Sequence, residues 1–421
     1  MVQPCHPSLS RVFVVLGVCG ALLSCGGGGG DRDSGGSGGG GGIGGGNPPG
    51  SVNTPAFVPT TTPVTVTEVA AGLSNPWGLA FLPDGRMLIT GRLGQLWLLS
   101  ADGATRQTIT GLPPALFTGG QGGLLDVAID PAFASNRRIY LTFSEVDAGN
   151  ASINGTAVAR AELDVGSSSL VGLTVIYRQL PKVASSGHFG SRLVFDGSGH
   201  LFVTLGDRQN ADQSPFAQDL SRGNGKVARI TTNGDPAPGN PFTAIGPQAH
   251  FWSYGHRNPQ GAALRPGTGE LWVSEHGPQG GDEINRVLAG LNYGWPVISH
   301  GQQYGTTSQW GEGTAKAGME QPVSVWESRD GTPWVSGQKS STAPAGMAFF
   351  TGTGPAHWQG SLFVGALAGE ALWRLQLDGN TVVGRERFLA SLGERIRDVQ
   401  QGPDGRLYLL TDSGRLLRVN A

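Results

Sequence analysis

Two residues nineteen positions apart open the chemistry of this chain: His188, in Ser185-Ser186-Gly187-His188-Phe189-Gly190-Ser191-Arg192, and Asp207, in Leu205-Gly206-Asp207-Arg208. Small residues around the histidine leave its imidazole free to face a cavity. A neutral imidazole titrates near physiological pH and suits a general base that takes a hydroxyl proton. The segment between the two reads as a hairpin, which returns Asp207 to the mouth that His188 left. There a carboxylate can fix the ring's tautomer and support the imidazolium. A histidine alone is more often structural, and the acid across the hairpin is what favours chemistry.

Residues 250–296 hold the densest polar and aromatic chemistry of the chain. Arg257, Asn258 and Gln260 flank the proline-fixed backbone of Pro259. A strand-like run, Glu270 to Glu275, leads into His276-Gly277-Pro278, where the chain must turn and leave carbonyls to face a ligand. Asp282 and Glu283 follow. A guanidinium, carbonyls and clustered carboxylates suit an anionic ligand held with a hard cation such as calcium. Arg395 and Arg397 alternate on an expected strand and so share a face. With Arg257 they would set three positive charges around a flat, multiply anionic ligand. The competing assignment is a pair of surface salt bridges to Glu394 and Asp398. No spacing among His256, His276 and His300 suits a zinc site.

The elements that must position these groups repeat. Asn75-PWGLAFLPDGRMLITGRLGQLWLL places an alternating strand, a Pro-Asp-Gly turn and a second strand in series. The phrase returns from Gly123, Ser191, Gly261, Gly346 and Ile396. Six copies at this long period predict an all-β fold, a six-bladed β-propeller of four-stranded antiparallel blades. A β-sandwich or parallel β-helix matches six hairpin phrases less well. Residues 64–69 should pair with residues 416–419 and close the ring. In a propeller the loops at one end converge on the axis, which collects Gln121, His188, Arg257 to Gln260, the loop at His276, Arg395 and Arg397 into one site.

Composition bounds the rest. A net charge of -2 and a pI near 6.4 exclude a nucleic-acid partner on electrostatic grounds. Arg11 precedes the apolar run 12–23, and Leu22-Leu23-Ser24-Cys25 resembles a lipobox, so residues 1–25 are expected to be a lipoprotein-type signal peptide with lipidation at Cys25. Of three cysteines, Cys5 and Cys19 lie in the removed part, so the mature chain can form no internal disulfide. Residues 26–63, Gly-rich then Pro/Thr-rich, should form a flexible tether, and residues 64–421 the propeller. The expected location is exported, periplasmic or outer-membrane-anchored, with membrane contact only through the lipid.

The motifs His188-Phe-Gly-Ser-Arg with Leu205-Gly-Asp207, Tyr254-Gly-His-Arg257-Asn258-Pro-Gln260, Glu275-His-Gly277-Pro278, Gly281-Asp-Glu283, Asn292-Tyr293-Gly-Trp-Pro and Arg395-Ile-Arg397-Asp resemble the PQQ-dependent soluble sugar dehydrogenases. That glucose/sorbosone dehydrogenase family, in its aldose sugar dehydrogenase type, is matched over about residues 66–419. The resemblance implies a six-bladed propeller that oxidises the anomeric hydroxyl of aldoses to lactones with hydride transfer to pyrroloquinoline quinone (PQQ). It implies His188 as the base and Asp207 behind it, with Gln121, Arg257, Asn258, Arg395 and Arg397 as cofactor contacts. It further implies Gly277 and Pro278 carbonyls as calcium ligands, Glu283 and Tyr293 at a further calcium site, a sugar substrate and an unidentified electron acceptor. Ala368 departs from the family pattern, which has lysine there, and Gly187 from members with an acid at that position. A calcium-dependent lactonase-type hydrolase and a non-catalytic binding propeller are the alternatives.

Overall fold

Alternating apolar residues broken by Gly and Pro turns become strands throughout. The computed structural model describes residues 62–243 and 245–421, with Val52 and Val58. The expected signal segment with Cys25, and most of the expected tether, lie outside these residues. The first hairpin shows the local logic. Pro76–Phe81 and Met87–Gly91 pair antiparallel, and Gly85 at φ 87° makes the turn that Asp84 fixes by accepting the Arg86 N–H at 3.1 Å.

Six such units each extend to four strands. Blade 1 is Pro76–Phe81, Met87–Gly91, Gln95–Leu99 and Arg106–Thr108. Blade 2 is Leu124–Ile129, Arg138–Val146, Asn154–Asp164 and Ser169–Arg178. Blade 3 is Gly190–Phe195, Leu201–Leu205, Lys226–Ile230 and Phe251–Tyr254. Blade 4 is Pro259–Leu264, Leu271–Glu275, Asp282–Val287 and Ser324–Trp326. Blade 5 is Pro344–Phe349, Leu362–Ala366, Ala371–Asp378 and Thr381–Phe388. Blade 6 takes Ile396–Gln401, Leu407–Thr411 and Leu416–Asn420 from the end of the chain and Thr65–Ala70 from its beginning, with Val66 opposite Val419. The expected six-bladed propeller and its closure are therefore present, with the first strand of the chain as the outer strand of the blade that its last three strands form. Between blades lie apolar layers. Trp272, Trp326 and Trp373 are fully buried at the junction of blades 4 and 5, where each ring removes on the order of 150–250 Å² from water.

The first strands of the blades pack on one another around the axis. In every blade the register of this strand slips near its start, the mark of a β-bulge, which re-aims side chains and frees a backbone N–H. Three of the freed N–H groups, on Gly78, Asp126 and Arg192, are taken by Thr90, Thr142 and Thr204 of the second strand at 2.8–2.9 Å. Those hydroxyls donate onward to the next blade's first strand, at Leu125, Ser191 and Pro259, and Ser274 does the same for Ala345. Four of the six junctions are thus buckled by a hydroxyl. Blades 5 and 6 carry Gly365 and Leu410 at the equivalent place.

The third residue of each first strand forms a ring: Gly78, Asp126, Arg192, Gly261, Gly346 and Asp398. Arg192 Nη1 lies 3.1 Å from both Asp126 Oδ1 and Asp398 Oδ1, and its Nε donates to the Gln260 carbonyl at 2.7 Å. Its guanidinium also covers Trp77 at 4.2 Å. The two carboxylates reach sideways to the N–H groups of Leu193 and Leu79. Glycine completes the ring because a Cβ at Gly346 would sit 2.0 Å from Asp398 Oδ1, and one at Gly78 2.6 Å from Asp126 Oδ1. Burial and the neighbouring Asp398 raise the Asp126 carboxyl to about 6, against the pull of Arg192.

Candidate active site

His188 and Asp207 meet. Nδ1 of the ring lies 2.7 Å from Asp207 Oδ1, and among the described residues no group bonds Nε2. The loop that presents the histidine holds it in the left-handed region, at φ 48°, and Arg208 and Gln209 are there too. Such backbone persists only where surroundings over-determine it. Here they do: the His188 N–H donates to Gln121 Oε1 at 2.9 Å, and Gln209 N to Asp207 Oδ1 at 2.8 Å. Arg208, 1 % exposed, donates to the carbonyls of Gly187, Ser185 and Asn154 and covers Phe189 at 4.0 Å. Gly206 is required because a Cβ there would lie 2.0 Å from the His188 carbonyl. The space before His188 that a side chain at Gly187 would enter is filled by the Gln209 amide, 1.6 Å from where that Cβ would be.

Asp207 is fully buried and its carboxylate accepts four hydrogen bonds; beyond His188 and Gln209, Ser214 Oγ and Trp295 Nε1 each donate to Oδ2 at 2.7 Å. Burial alone would raise this carboxyl, but the His188 ring, Arg257 and Ser214 outweigh it and hold it at about 2. His188 moves the other way. Burial and Arg257 lower its pKa against the pull of Asp207, which keeps the imidazole neutral with a lone pair at Nε2. Burial, Arg257 and His188 likewise lower His276 to about 3, and its Nε2 is engaged by the Pro344 carbonyl at 2.9 Å.

A cavity of about 310 Å³ opens at this end of the axis, at the lower end of the usual range for small-molecule sites, with Gln121, Gln260, His276, Arg395 and Arg397 in its wall. Both blade 6 arginines use Asp412: Arg395 Nε and Arg397 Nε each stand 2.9 Å from its carboxylate. Neither Glu394 nor Asp398 is their partner, because Glu394 pairs with Arg415 and Asp398 with Arg192. Arg397 also donates to Gln260 Oε1 at 2.9 Å. The wall further contains Trp77, Arg92 and Asp412, which sequence reasoning did not select. Their signal was present: Trp77 and Arg92 stand at the ends of the first hairpin phrase, where the loops converge.

Arg257 lies in the wall of an adjoining cavity of about 20 Å³, shared with Glu275, Gly277, Glu283, Tyr293 and Trp295. The turn at His276 was expected to leave its carbonyls free. Instead Arg257 Nη1 donates to the Gly277 carbonyl at 2.7 Å and the His276 carbonyl at 3.2 Å, while Nη2 reaches Tyr304 Oη at 3.0 Å. Among the described residues no group donates a hydrogen bond to Pro278 O. Arg257 Nε and Asn258 Nδ2 are buried donors without a partner. Burial, Glu275 and Asp282 raise the Glu283 carboxyl well above its ordinary value. The Tyr293 hydroxyl donates to the Arg286 carbonyl at 2.5 Å and accepts the Leu288 N–H at 2.8 Å, which leaves its backbone carbonyl as the atom open to a ligand. Among the described residues no group of three or more His, Cys, Asp or Glu side chains could hold a metal. Any cation here would rest on backbone carbonyls and Glu283.

An acid-base pair beside an arginine-rich pocket on a propeller axis is an arrangement that can take a proton from a group held next to an anionic ligand. The sequence pattern described as Glucose / Sorbosone dehydrogenase matches residues 73–418, and the chain belongs to that family. It is 44 % identical over 354 residues to "Aldose sugar dehydrogenase YliI" of Escherichia coli (strain K12), covering 83 % of this chain and 90 % of that protein. Among solved structures it resembles the apo-form soluble aldose sugar dehydrogenase of Escherichia coli at 42 % identity and TM-score 0.77, covering 85 % and 99 % of the two chains. It also resembles the PQQ-bound aldose sugar dehydrogenase of Streptomyces coelicolor at 29 % identity and TM-score 0.70, covering 85 % and 98 %.

Proposed function

We propose that the protein is a sugar oxidoreductase that converts the anomeric hydroxyl of an aldose to a lactone. PQQ would supply the hydride acceptor when bound, and calcium held beside it the Lewis acid that polarises it. The observation that carries the reading is the free Nε2 of a neutral, buried His188 whose other nitrogen rests on an ionised Asp207. As Nε2 takes the hydroxyl proton, the carbon-oxygen bond becomes the lactone carbonyl and the anomeric hydrogen departs with its electron pair. Asp207 steadies the imidazolium, and Ser214 and Trp295 keep Asp207 in place.

The donor set fits the cofactor. Gln121, Arg257, Asn258, Arg395 and Arg397 would hold it, and the unpartnered Arg257 Nε and Asn258 Nδ2 are donors that a polyanionic ligand can satisfy. The Gly277 and Pro278 carbonyls would hold calcium beside it, the first sharing its lone pairs with Arg257. At Glu283 and the Tyr293 carbonyl, a second cation would offset the buried carboxyl's charge. We read the segment before the propeller as a lipid anchor and tether that hold the enzyme at an exported membrane face, where it passes electrons to an acceptor.

The test is sugar-dependent bleaching of an artificial electron acceptor, with PQQ and calcium each supplied or withheld. Reduction only when sugar, quinone and calcium are all present supports the assignment. Lactone hydrolysis without quinone, or sugar binding with no electron transfer, refutes it.

A further inference from the structure

Arg92 follows the second strand of blade 1 and is anchored by its backbone on both sides, its N–H on the Asn75 carbonyl at 2.9 Å and its carbonyl on the Leu124 N–H at 3.1 Å. Gly123 at φ 152° makes that anchoring possible, because a Cβ there would lie 1.9 Å from the Arg92 oxygen. Nη1 of the guanidinium donates to the Gly120 carbonyl and, at 3.2 Å, to the Gly122 carbonyl. Those two residues flank Gln121, whose own N–H is held by the Ser186 carbonyl and whose Oε1 accepts the His188 N–H. Nε and Nη2 make no hydrogen bond among the described residues, although Arg92 lines the cavity that Arg395 and Arg397 line.

The charge of that cavity is unbalanced. Three guanidiniums face one carboxylate, Asp412, which Arg395 and Arg397 already occupy. Burial and the nearby Arg397 both lower the Arg92 pKa, the response of a cation held among cations. A guanidinium stays charged regardless, so the pocket keeps an excess of positive charge that an anionic ligand can meet. Blade 5 adds nothing: its loop brings Leu367 to the wall and has Ala368 next.

We propose that Arg92 is a further cofactor-binding residue, the fourth cation of the site beside Arg257, Arg395 and Arg397, bonding a carboxylate of the ligand through Nε and Nη2 while Nη1 fixes the Gln121 loop. The assignment rests on the reading of the pocket as a site for a polycarboxylate quinone. It supplies from blade 1 the positive charge that blade 5 lacks at Ala368, and it links ligand binding to the backbone of the residue that bonds His188.

The test is a titration with PQQ at fixed calcium, followed by quenching of tryptophan emission, with wild type, Arg92→Met, Arg92→Lys and the surface control Arg86→Met. Arg92→Met should weaken binding about 10- to 150-fold, the range for a lost hydrogen bond to a charged group. Arg92→Lys keeps the charge without the planar fork and should fall between, and Arg86→Met should match wild type. The loss in Arg92→Met should shrink as salt rises. No binding by wild type would overturn the quinone reading and this one with it. Binding by wild type with undiminished affinity in both Arg92 variants would overturn the role of Arg92 alone. Should Arg92→Met not fold, the lysine variant decides.

Discussion

Replacing Asp207 by Asn tests the acid-base pair at the atom level. The carboxylate accepts from four donors, His188 and Gln209 at Oδ1 and Ser214 and Trp295 at Oδ2. An asparagine has one acceptor oxygen and one amide, so its N–H must face either the Gln209 N–H or the Trp295 indole N–H. With the amide on the His188 side, Nδ1 has to accept, the ring proton moves to Nε2, and no lone pair remains for the sugar hydroxyl. With the amide on the other side the tautomer survives but the imidazolium loses its counter-charge. The fall of the Asp207 carboxyl from 3.8 to about 2 measures its preference for charge, roughly 2.5 kcal/mol or about 60-fold. Loss of a general base is worth about 10² to 10⁴. Turnover of Asp207→Asn should therefore fall by about 10² to 10⁴, with quinone affinity close to wild type. The pH profile adds a second readout. Burial and Arg257 lower His188 while Asp207 opposes them, so the acid limb of wild-type kcat/KM should lie below 6.5. In the variant the opposing charge is gone, and any residual activity should show its limb lower still. A quinone-loaded Asp207→Asn enzyme turning over within about threefold of wild type would refute the reasoning.

Three further outcomes follow from the same geometry. Asp126 has its carboxyl raised in the folded state, so the stability this gives is complete below the unfolded value of 3.8 and is lost as pH rises through about 6. The stability of wild type relative to Asp126→Asn should thus decline between pH 4 and 6, by at most about 1.4 kcal/mol per pH unit, in denaturant melts; a constant difference means the group does not titrate there. Ala368→Lys should tighten PQQ binding by about one to two decades, and equal affinities would show that this loop does not turn residue 368 toward the ligand. For the expected lipid anchor, Cys25→Ser should release the protein from the membrane fraction or block its processing, and wild type recovered wholly in soluble form would disprove the anchor.

The propeller was legible because each blade repeats the same local instruction. Pro-Asp-Gly and its variants turn, apolar residues alternate, and the six phrase starts fall on the six innermost strands, with ring closure shifted by one residue from expectation. His188 and Asp207 were legible because one hairpin separates them. Asp412 was not, since it joins Arg395 and Arg397 across a hairpin whose sequence carries nothing to mark that carboxylate from any other. Trp295 and Ser214 escaped for a related reason: they meet Asp207 through loops of blades 4 and 3, and a hydrogen bond between distant loops leaves no periodic trace. The ring of Asp126, Arg192 and Asp398 was hidden because three separate repeats each contribute one residue at the same internal position. Repeats are recognised by their likeness, and the ring is made of their differences.

The hydroxyl buckles impose an order on how the molecule comes apart. From blade 1 through blade 5 each junction is stitched by a threonine or serine, but between blades 5 and 6 Gly365 lies directly against Ile396, where a Cβ would come within 2.8 Å of its carbonyl. The junction from blade 6 back to blade 1, with Leu410 at that place, has no such hydroxyl either, so blade 6 between its two unstitched junctions is the seam of the circumference, and thermal or mechanical opening is expected to begin there. Opening it carries Arg395, Arg397 and Asp412 away together while Gln121, His188, Asp207 and Trp295 remain on stitched blades. A partly opened molecule should drop its anionic ligand before its proton-transfer pair is disturbed, and refolding then needs only blade 6 to reseat before the ligand can return.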